Sequence, residues 1–357
     1  MLSVKPLNIP ASIQTSSPVA GLGCEYTTDS AEQLLASAYV LAVIDFDRGG
    51  ADKPDISKAR VLDPRFIDTG LTIIPLGGCD IREVWYSSTP VISGTENDVR
   101  WVANGSALLV SVTVDESQSK DLHEATYQAY KQLLGVMSRR GCSHIIRAWN
   151  YLADINVGGG DSERYKCFCS GRHEAFIDFG YGLSQFPAAC ALGHQGGSMV
   201  IYLLAATEPA LHFENPQQVS AYKYPREYGA RSPSFARAAL KSWECRNHIY
   251  ISGTASIIGH RSLHPGDVAR QLQVTFDNIA QLLKHIQVGA GPGQQLQMSM
   301  LKIYVRNAEN LELIRLAVEQ EYGSDTPAVF VLADICRREL EVEIDGICSF
   351  PENDPQA

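Results

Sequence analysis

The sequence lacks the features that mark membrane proteins and nucleic-acid-binding proteins. Among its 357 residues, no apolar run approaches the roughly 20 residues of a membrane-spanning helix, and the longest one, Leu34 to Ile44, is followed at once by Asp45. Basic residues are in the minority, because 30 Lys and Arg stand against 40 Asp and Glu and give a formal net charge of −10. Nucleic acids attract basic surfaces, so we expect neither a nucleic acid nor a membrane as a partner.

Paired cysteines and zinc-ligand spacings are also missing. Nine cysteines are scattered along the chain, and the one close pair, Cys167 and Cys169, lacks the wider spacing of a zinc knuckle. An odd number of cysteines without a secretory signal is typical of reduced thiols, which predicts a cytoplasmic protein. His260 and His264 are close in sequence, but the adjacent Pro265 argues against one helix that presents both. We therefore expect no metal and no cofactor.

Apolar residues make up 45% of the chain and charged residues 20%, which is typical of a folded protein with a substantial core. At about 100–200 residues per domain, the length favours two domains. An irregular stretch rich in Tyr, Arg and Pro begins near residue 209. We expect an N-terminal α+β domain over 1–220 and a second domain over 221–357.

Hydrophobic periodicity predicts an α+β fold of mixed sheets with helices packed on one face. In the first half the predicted strands are 82–86, 99–102, 107–113, 144–152 and 198–206, and the predicted helices are 121–140 and 161–176. In the second half the strands are 248–252, 298–306, 328–335 and 340–347, and the helices are 266–286 and 308–320. Residues 1–30 are predicted to be a loose arm or an edge strand. The similar order in the two halves leaves open that the N-terminal domain is a divergent relative of the C-terminal one.

Arginine and tyrosine alternate in the segment 221–237, where two prolines and a glycine exclude a regular helix. Arginine forks bind carboxylates bidentately, and aromatic rings form apolar walls for a cyclic ligand. Arg147, near the end of a predicted strand, and Arg164, at the start of a predicted helix, are also placed to hold an anion. The alternative is a solvated loop in which arginines stack on tyrosines.

Polar and apolar residues alternate near the C-terminus, so Glu341, Glu343 and Asp345 share one face of a strand. Like charges on one face are typical of a solvated surface. If one of these carboxyls lies in a closed cleft instead, its pKa rises and it becomes a candidate general acid.

Several of these stretches resemble known families. The last 110 residues or so are similar to the RidA/YjgF fold at 251–253, 266–267, 271–279, 327–328 and 342–345. The whole chain resembles the chorismatases, enzymes that remove pyruvate from chorismate. That resemblance is carried by 147–151, 163–165, 224–229, 231–237, 252–256 and 259–260.

The resemblance to chorismatases implies a role for each matching residue. Glu343 matches the catalytic glutamate, a neutral carboxylic acid that protonates the enol ether of chorismate. The carboxylate anchors expected from it are Arg147, Arg164, Arg226 and Arg231. The expected walls and hydrogen-bond partners are Tyr151, Tyr165, Tyr228, Phe235, Gly253, Thr254 and Ala255.

The resemblance also implies a product. Benzoate-forming chorismatases carry Gly in the Ser-Gly-Thr-Ala-Ser turn and Cys seven residues before the glutamate, and this chain has Gly253 and Cys336 there. We therefore expect 3-hydroxybenzoate, with some 4-hydroxybenzoate, unless Cys336 is an inert core thiol. One alternative is a hydrolytic chorismatase that leaves a dihydroxycyclohexadiene carboxylate. A RidA-like imine deaminase or binding module is the other, but Val329 follows Ala328 where those deaminases carry an arginine. The protein is expected to be a monomer or a homotrimer.

Overall fold

The computed structural model describes residues 21–47, 63–74, 80–195, 197–244, 246–290 and 296–351. Within these ranges the α-helices are α1 (Ala31–Leu35), α2 (Leu122–Arg139), α3 (Arg164–Asp178), α4 (Val268–Ala290) and α5 (Leu311–Tyr322). The strands before α3 are β1 (Leu22–Thr27), β2 (Val40–Asp47), β3 (Phe66–Ile73), β4 (Arg82–Ser87), β5 (Ile92–Glu96), β6 (Val99–Ala103), β7 (Ala107–Val114) and β8 (His144–Ala153). The strands after it are β9 (Ala188–His194), β10 (Met199–Ala206), β11 (Leu211–Phe213), β12 (Ala238–Trp243), β13 (Arg246–Thr254), β14 (Ile257–Ile258), β15 (Arg261–Ser262), β16 (Met300–Val305), β17 (Ala328–Leu332) and β18 (Val342–Pro351).

Two large mixed sheets dominate the fold. The ten-stranded sheet has the order β1-β4-β2-β3-β17-β16-β18-β13-β12-β11, and the six-stranded sheet has the order β5-β6-β7-β10-β8-β9. Most neighbouring strands are antiparallel, whereas β8 with β9, β16 with β17 and β2 with β3 are parallel. A two-stranded sheet of β14 and β15 lies apart from both.

The two sheets face each other, and each carries helices on its other face. An apolar cluster between the sheets contains Trp149 and Tyr202 from the six-stranded sheet and Trp85 and Tyr250 from the ten-stranded sheet. A second cluster packs α2 and α3 on the six-stranded sheet, and a third packs α4 and α5 on the ten-stranded sheet. The molecule is therefore a four-layer αββα arrangement, and the α+β prediction with helices on one face of each sheet is confirmed.

The ten-stranded sheet curls until its first strand lies close to its later strands. The hydroxyl of Tyr26 in β1 donates to the carbonyl of Leu301 in β16 at 2.9 Å. At the other end of β1, the N–H of Gly21 donates to Oε2 of Glu244, which follows β12, at 3.0 Å. This curvature brings the polar face of β16 and β18 between the two sheets and away from solvent.

Most predicted elements are confirmed with small shifts at their ends. The predicted helix 121–140 corresponds to α2. The side chain of Asp121 caps its N-terminus by accepting a hydrogen bond from the N–H of Glu124 at 2.9 Å. The predicted helix 161–176 begins only at Arg164, since residues 160–162 form a short 3₁₀ turn. The C-terminal order β-α-β-α-β-β predicted for a RidA/YjgF-like part is confirmed as β13, α4, β16, α5, β17 and β18.

The predicted N-terminal arm is described only from residue 21. There β1 pairs with β4 alone and forms the edge of the ten-stranded sheet, and residues 1–20 lie outside the described ranges. This sheet takes strands from both sides of residue 220, so the division into domains at 220/221 stays a prediction. None of the helices in the described ranges is both long and apolar enough to cross a bilayer.

Candidate active site

A cavity of about 250 Å³ opens beside the C-terminal strand β18. Four stretches of chain meet around it: the start of α3, the Tyr/Arg segment 221–237, the residues around the end of β13, and the loop between β17 and β18. Its lining includes Tyr165, Lys166, Tyr224, Tyr228, Phe235, Arg237, Gly253, Ala255, Cys336, Arg337, Arg338 and Glu343. Cationic and aromatic groups therefore surround Glu343, and three further carboxyl groups, those of Glu163, Glu227 and Glu339, also line the cavity.

Glu343 projects from β18 into this cavity. Its strand is covered on one face by α4 and α5 and on the other by the six-stranded sheet, so Glu343 is only 4% exposed. Among the described residues no hydrogen-bond donor or cation is paired with its carboxyl. Burial raises the pKa of Glu343 most, the charge of Asp345 raises it further, and Arg147 and Arg237 lower it, with a result of about 8. Glu343 is therefore mainly protonated at neutral pH.

The three acidic residues predicted to share one face of β18 differ in their burial. Asp345 is as buried as Glu343, at 4% exposed, whereas Glu341 is half-buried and accepts from Asn307 at the surface. The face is not solvated, because the six-stranded sheet covers it. Of the two neighbouring carboxylates, Asp345 is the one that raises the pKa of Glu343.

Gly253 in β13 lies against the carboxyl of Glu343. A Cβ atom added to Gly253 would overlap Oε1 of Glu343, and it would lie 2.7 Å from Cδ of Glu343 and 3.0 Å from Cβ of Cys190. Only a residue without a side chain fits here without displacing a neighbour. The glycine in the Ser-Gly-Thr-Ala-Ser turn is therefore a steric requirement for the present position of Glu343.

Arg237 is the most enclosed cation at the cavity. It is 4% exposed, and its Nη2 donates to the Tyr224 hydroxyl at 2.7 Å and to the carbonyl of Val219 at 3.3 Å. Its Nε is buried without a hydrogen-bond partner among the described residues. A buried guanidinium with a free N–H donor is suited to bind a carboxylate ligand.

Arg337 and Lys166 add positive charge on other sides of the cavity. The guanidinium of Arg337 stacks over the ring of Tyr228 at 4.2 Å, and its Nη1 donates to the carbonyl of His260 at 2.9 Å. Lys166 and Tyr165 occupy the first turn of α3, and the positive end of the helix dipole lies there. The cavity can therefore hold more than one negative group of a small molecule.

The structure brings together seven of the residues predicted for the site. Those that line the cavity are Glu343, Cys336, Tyr165, Tyr228, Phe235, Gly253 and Ala255. Thr254 lies between two of them, but its hydroxyl donates to the carbonyl of Ser252 at 2.8 Å and does not line the cavity. Cys336 and Glu343 approach closely enough for the Glu343 charge to raise the pKa of the thiol, after burial as the first cause.

Four predicted anchors and one predicted wall lie elsewhere. Arg147 is 1% exposed and donates to Asp345 between the sheets, and Tyr151 is buried beside Tyr202 and Tyr304. Arg164 is bound by Glu116 and by the carbonyl of Ala153.

The other two arginines are at the surface. Arg226 forms a bidentate pair with Asp161 at 2.6 and 2.7 Å, and Arg231 is exposed. None of the four lines the cavity. Arg147, Arg164 and Arg226 are paired with carboxylates of the protein, although Nη1 of Arg147 is buried without a partner among the described residues.

Sequence reasoning missed the cations that do line it. Lys166 follows Tyr165 directly, Arg337 and Arg338 follow Cys336, and Arg237 ends the Tyr/Arg segment. Each lies within two residues of a predicted site residue that lines the cavity. Their closeness in sequence to predicted site residues could have drawn attention to them. Sequence alone, however, does not say which of two neighbouring side chains points into the cavity.

With this geometry in hand, comparisons identify the family. The family model described as "Chorismatase FkbO/Hyg5-like, N-terminal" matches residues 83–205. A "3-hydroxybenzoate synthase" of Streptomyces hygroscopicus is 33% identical over 277 residues, which cover 74% of this chain and 80% of that protein. The chain belongs to the chorismatase family.

Two further relatives agree with this assignment. A "Chorismatase" of Streptomyces hygroscopicus is 34% identical over 274 residues, which cover 74% of this chain and 78% of that chorismatase. A crystal structure of a chorismatase superposes with a TM-score of 0.79 at 29% identity and covers 93% of this chain and 100% of its own. The chorismatase fold thus extends over nearly all of this chain, including the N-terminal third in which few family motifs were found in the sequence.

Proposed function

We propose that this chain converts chorismate into 3-hydroxybenzoate and pyruvate, with some 4-hydroxybenzoate. The observation that carries the proposal is Glu343, a buried carboxyl without an ion-pair partner among the described residues, whose pKa of about 8 keeps it protonated in a cavity walled by cations and aromatic rings. An acid that is neutral at pH 7 can donate a proton to a weakly basic carbon.

Recognition follows from the charges of the cavity wall. Chorismate carries two carboxylates, and the cations that line the cavity are Lys166, Arg237, Arg337 and Arg338. We assign Arg237 as one anchor because its buried Nε lacks a partner among the described residues, and Arg337 as a second. The rings of Tyr165, Tyr228 and Phe235 provide apolar walls for the cyclohexadiene ring.

The reaction begins when Glu343 transfers its proton to the methylene carbon of the enolpyruvyl group, which leaves an oxocarbenium ion on the substrate and a carboxylate on Glu343. The neighbouring ring hydroxyl of the substrate then attacks the ring carbon that carries the ether, the bond between that carbon and the ether oxygen breaks, and pyruvate leaves with its electron pair while a protonated epoxide forms on the ring. Opening of one epoxide carbon–oxygen bond leaves the oxygen at position 3, and opening of the other leaves it at position 4. Loss of a ring proton restores aromaticity and the neutral acid, so the overall reaction consumes no water.

The product depends on whether the ring hydroxyl of the substrate or a water molecule reacts first with the protonated substrate. Gly253 and Cys336, the pair associated with benzoate formation, both line the cavity beside Glu343. Because the glycine permits the Glu343 carboxyl to sit against β13, the proton donor and the substrate are held in one arrangement, which supports internal attack. The alternative is capture by water, which gives pyruvate and a non-aromatic diol.

Incubation of the purified protein with chorismate tests this proposal. Pyruvate is followed with a coupled dehydrogenase, and the ring product is identified by chromatography and mass spectrometry in ¹⁸O-labelled water. We expect pyruvate and hydroxybenzoate without label in the ring product. A non-aromatic diol as the ring product would identify the hydrolytic alternative, in which water attacks the pyruvyl carbon and the ring keeps both of its own oxygens, whereas turnover of 2-aminoacrylate without pyruvate release from chorismate would identify imine deamination.

We further propose a cytoplasmic enzyme that works without a nucleic-acid partner or a cofactor. The seven cysteines in the described ranges are free thiols, which supports a reducing compartment. We propose a monomer or a homotrimer as the catalytic unit. Light scattering of the active protein tests the oligomeric state.

A further inference from the structure

We infer that Arg147 and Asp345 form a buried ion pair that positions Glu343 and acts on its protonation with opposite signs, so both act through Glu343 and neither lines the substrate cavity. The inference rests on the proposed role of Glu343 as the acid. It assigns to Arg147 a role different from the carboxylate anchor expected from the sequence.

The ion pair lies directly behind the acid. Asp345 follows Glu343 by two residues on β18, so the two carboxyls point to the same face of the sheet. Nη2 of Arg147 donates to Oδ2 of Asp345 at 2.7 Å, and the Tyr304 hydroxyl donates to the same oxygen at 3.0 Å. Tyr304 is itself the cross-strand neighbour of Glu343, so these contacts fix the strand face from which Glu343 projects.

A second buried pair balances the charge of this region. Nζ of Lys302, the cross-strand neighbour of Asp345, lies 2.6 Å from Oε2 of Glu83, and both side chains are at most 3% exposed. The two pairs line one internal cavity of about 10 Å³ between the sheets. Each of these two carboxylates thus has its own cation, and neither Arg147 nor Lys302 forms an ion pair with Glu343.

Other groups also face Glu343. The charged and titratable groups that act on it or respond to it are Asp345 on its own strand, Arg147 on β8, Arg237 before β12, Cys190 on β9 and Cys336 before β18. The negative charge of Asp345 favours the neutral acid, and the positive charges of Arg147 and Arg237 favour the anion. Removal of Asp345 or of Arg147 must therefore change the protonation of Glu343 in opposite directions.

Two single variants test these opposite signs through the pH dependence of kcat/KM for pyruvate release. The high-pH limb of this profile is the fall in kcat/KM on its alkaline side. In Asp345→Asn the charge of Arg147 is no longer matched, so this limb should move to lower pH by about one pH unit or more. In Arg147→Met the charge of Asp345 is unmatched, so the limb should move up. Arg315→Met, which breaks an arginine–glutamate pair on α5, is the matched control and should leave the limb in place.

The double variant Arg147→Met/Asp345→Leu keeps the test open if a single variant does not fold. It removes both charges together, which buried pairs often tolerate, and its limb should lie between those of the single variants. Shifts of both single variants in the same direction would overturn the inference. A tenfold rise in KM without any shift of the limb would also overturn it, since that result would identify Arg147 as a substrate contact.

Infrared spectroscopy separates this inference from the proposed function. The neutral-carboxyl band present in the wild type and absent in Glu343→Gln is titrated without substrate, and we expect it to persist to a pH of about 8. If chorismate releases no pyruvate, the proposed function fails, yet this band still reports on the ion pair in each variant. A band that disappears below neutral pH, or that does not respond to Asp345→Asn, would overturn the inference by itself.

Discussion

Gly253 and Glu343, on adjacent strands of the ten-stranded sheet, are so close that no side chain fits between them. A Cβ on Gly253 would overlap Oε1 of Glu343 and also crowd Cβ of Cys190 at 3.0 Å. The carboxyl of Glu343 therefore packs directly against the backbone of β13 at Gly253. The position of the proton donor depends on a residue that contributes no functional group.

Gly253→Ala should displace the carboxyl of Glu343 and leave the fold intact, because the carboxyl can swing into the cavity. We expect the rate of hydroxybenzoate formation to fall about tenfold or more and the share of the diol to rise, since an altered proton donor no longer favours internal attack. Gly159→Ala is the matched control, as a Cβ there meets nothing within 4 Å. Unchanged products and rates in Gly253→Ala would contradict the steric role.

Glu343→Gln should fold normally and lose about 10²–10⁴-fold in kcat, because the amide has nearly the same shape but cannot donate a proton to carbon. Steady-state kinetics and thermal unfolding at pH 7 would be measured on the same preparation. Near-wild-type turnover in a folded Glu343→Gln protein would remove Glu343 from the mechanism.

Stability should fall with rising pH through the titration of Glu343. Its pKa is about 8 when folded and near the ordinary 4.5 when unfolded, so between these values the folded state holds a proton that the unfolded chain has lost. The stabilising contribution is complete below about pH 4.5 and is lost as the pH rises through about 8.

Urea unfolding at a series of pH values measures this loss. Relative to Glu343→Gln, the free energy of unfolding of the wild type should decline by up to about 1.4 kcal/mol per pH unit in this range. Parallel curves for the two proteins would show that Glu343 titrates with an ordinary pKa.

Arg237→Lys tests the proposed carboxylate anchor. Lysine keeps the charge but loses the planar fork, so KM for chorismate should rise by about 10- to 100-fold with a smaller effect on kcat. The control is Arg270→Met. Arg270 is an exposed residue of α4 that pairs with Asp267, and its replacement should leave KM unchanged. An unaltered KM in Arg237→Lys would mean that the anchor lies elsewhere.

Cys336→Val should change the ratio of hydroxybenzoate to diol while pyruvate release stays within about tenfold, because the thiol lines the cavity but supplies no proton to the first step. Burial raises the pKa of this thiol well above its ordinary value, so it acts through its shape and polarity. The matched control is Cys348→Val, a buried thiol in the apolar cluster under α4 and α5. An unchanged product ratio would identify Cys336 as an inert core thiol.

The sequence by itself determined the local elements. The 3.6-residue period of α2, the alternation in β7 and the continuous apolar run of β10 depend on neighbours a few residues away, so all three can be predicted from sequence alone. Glu343, Gly253, Cys336 and the rings of the Tyr/Arg segment were also predicted, since family motifs preserve their spacing. Their assembly around one cavity was a consequence of the fold.

Only the tertiary structure decided which charges face the cavity and which face each other. Arg147 is paired with Asp345, 198 residues away, and Lys302 is paired with Glu83 across the curled sheet. Ion-pair choice follows from the approach of strands that are distant in sequence, so periodicity cannot reveal it. The same physics separates Glu343 from Asp345: both are buried on one strand face, but a guanidinium reaches Asp345, and Glu343 is left neutral to donate its proton.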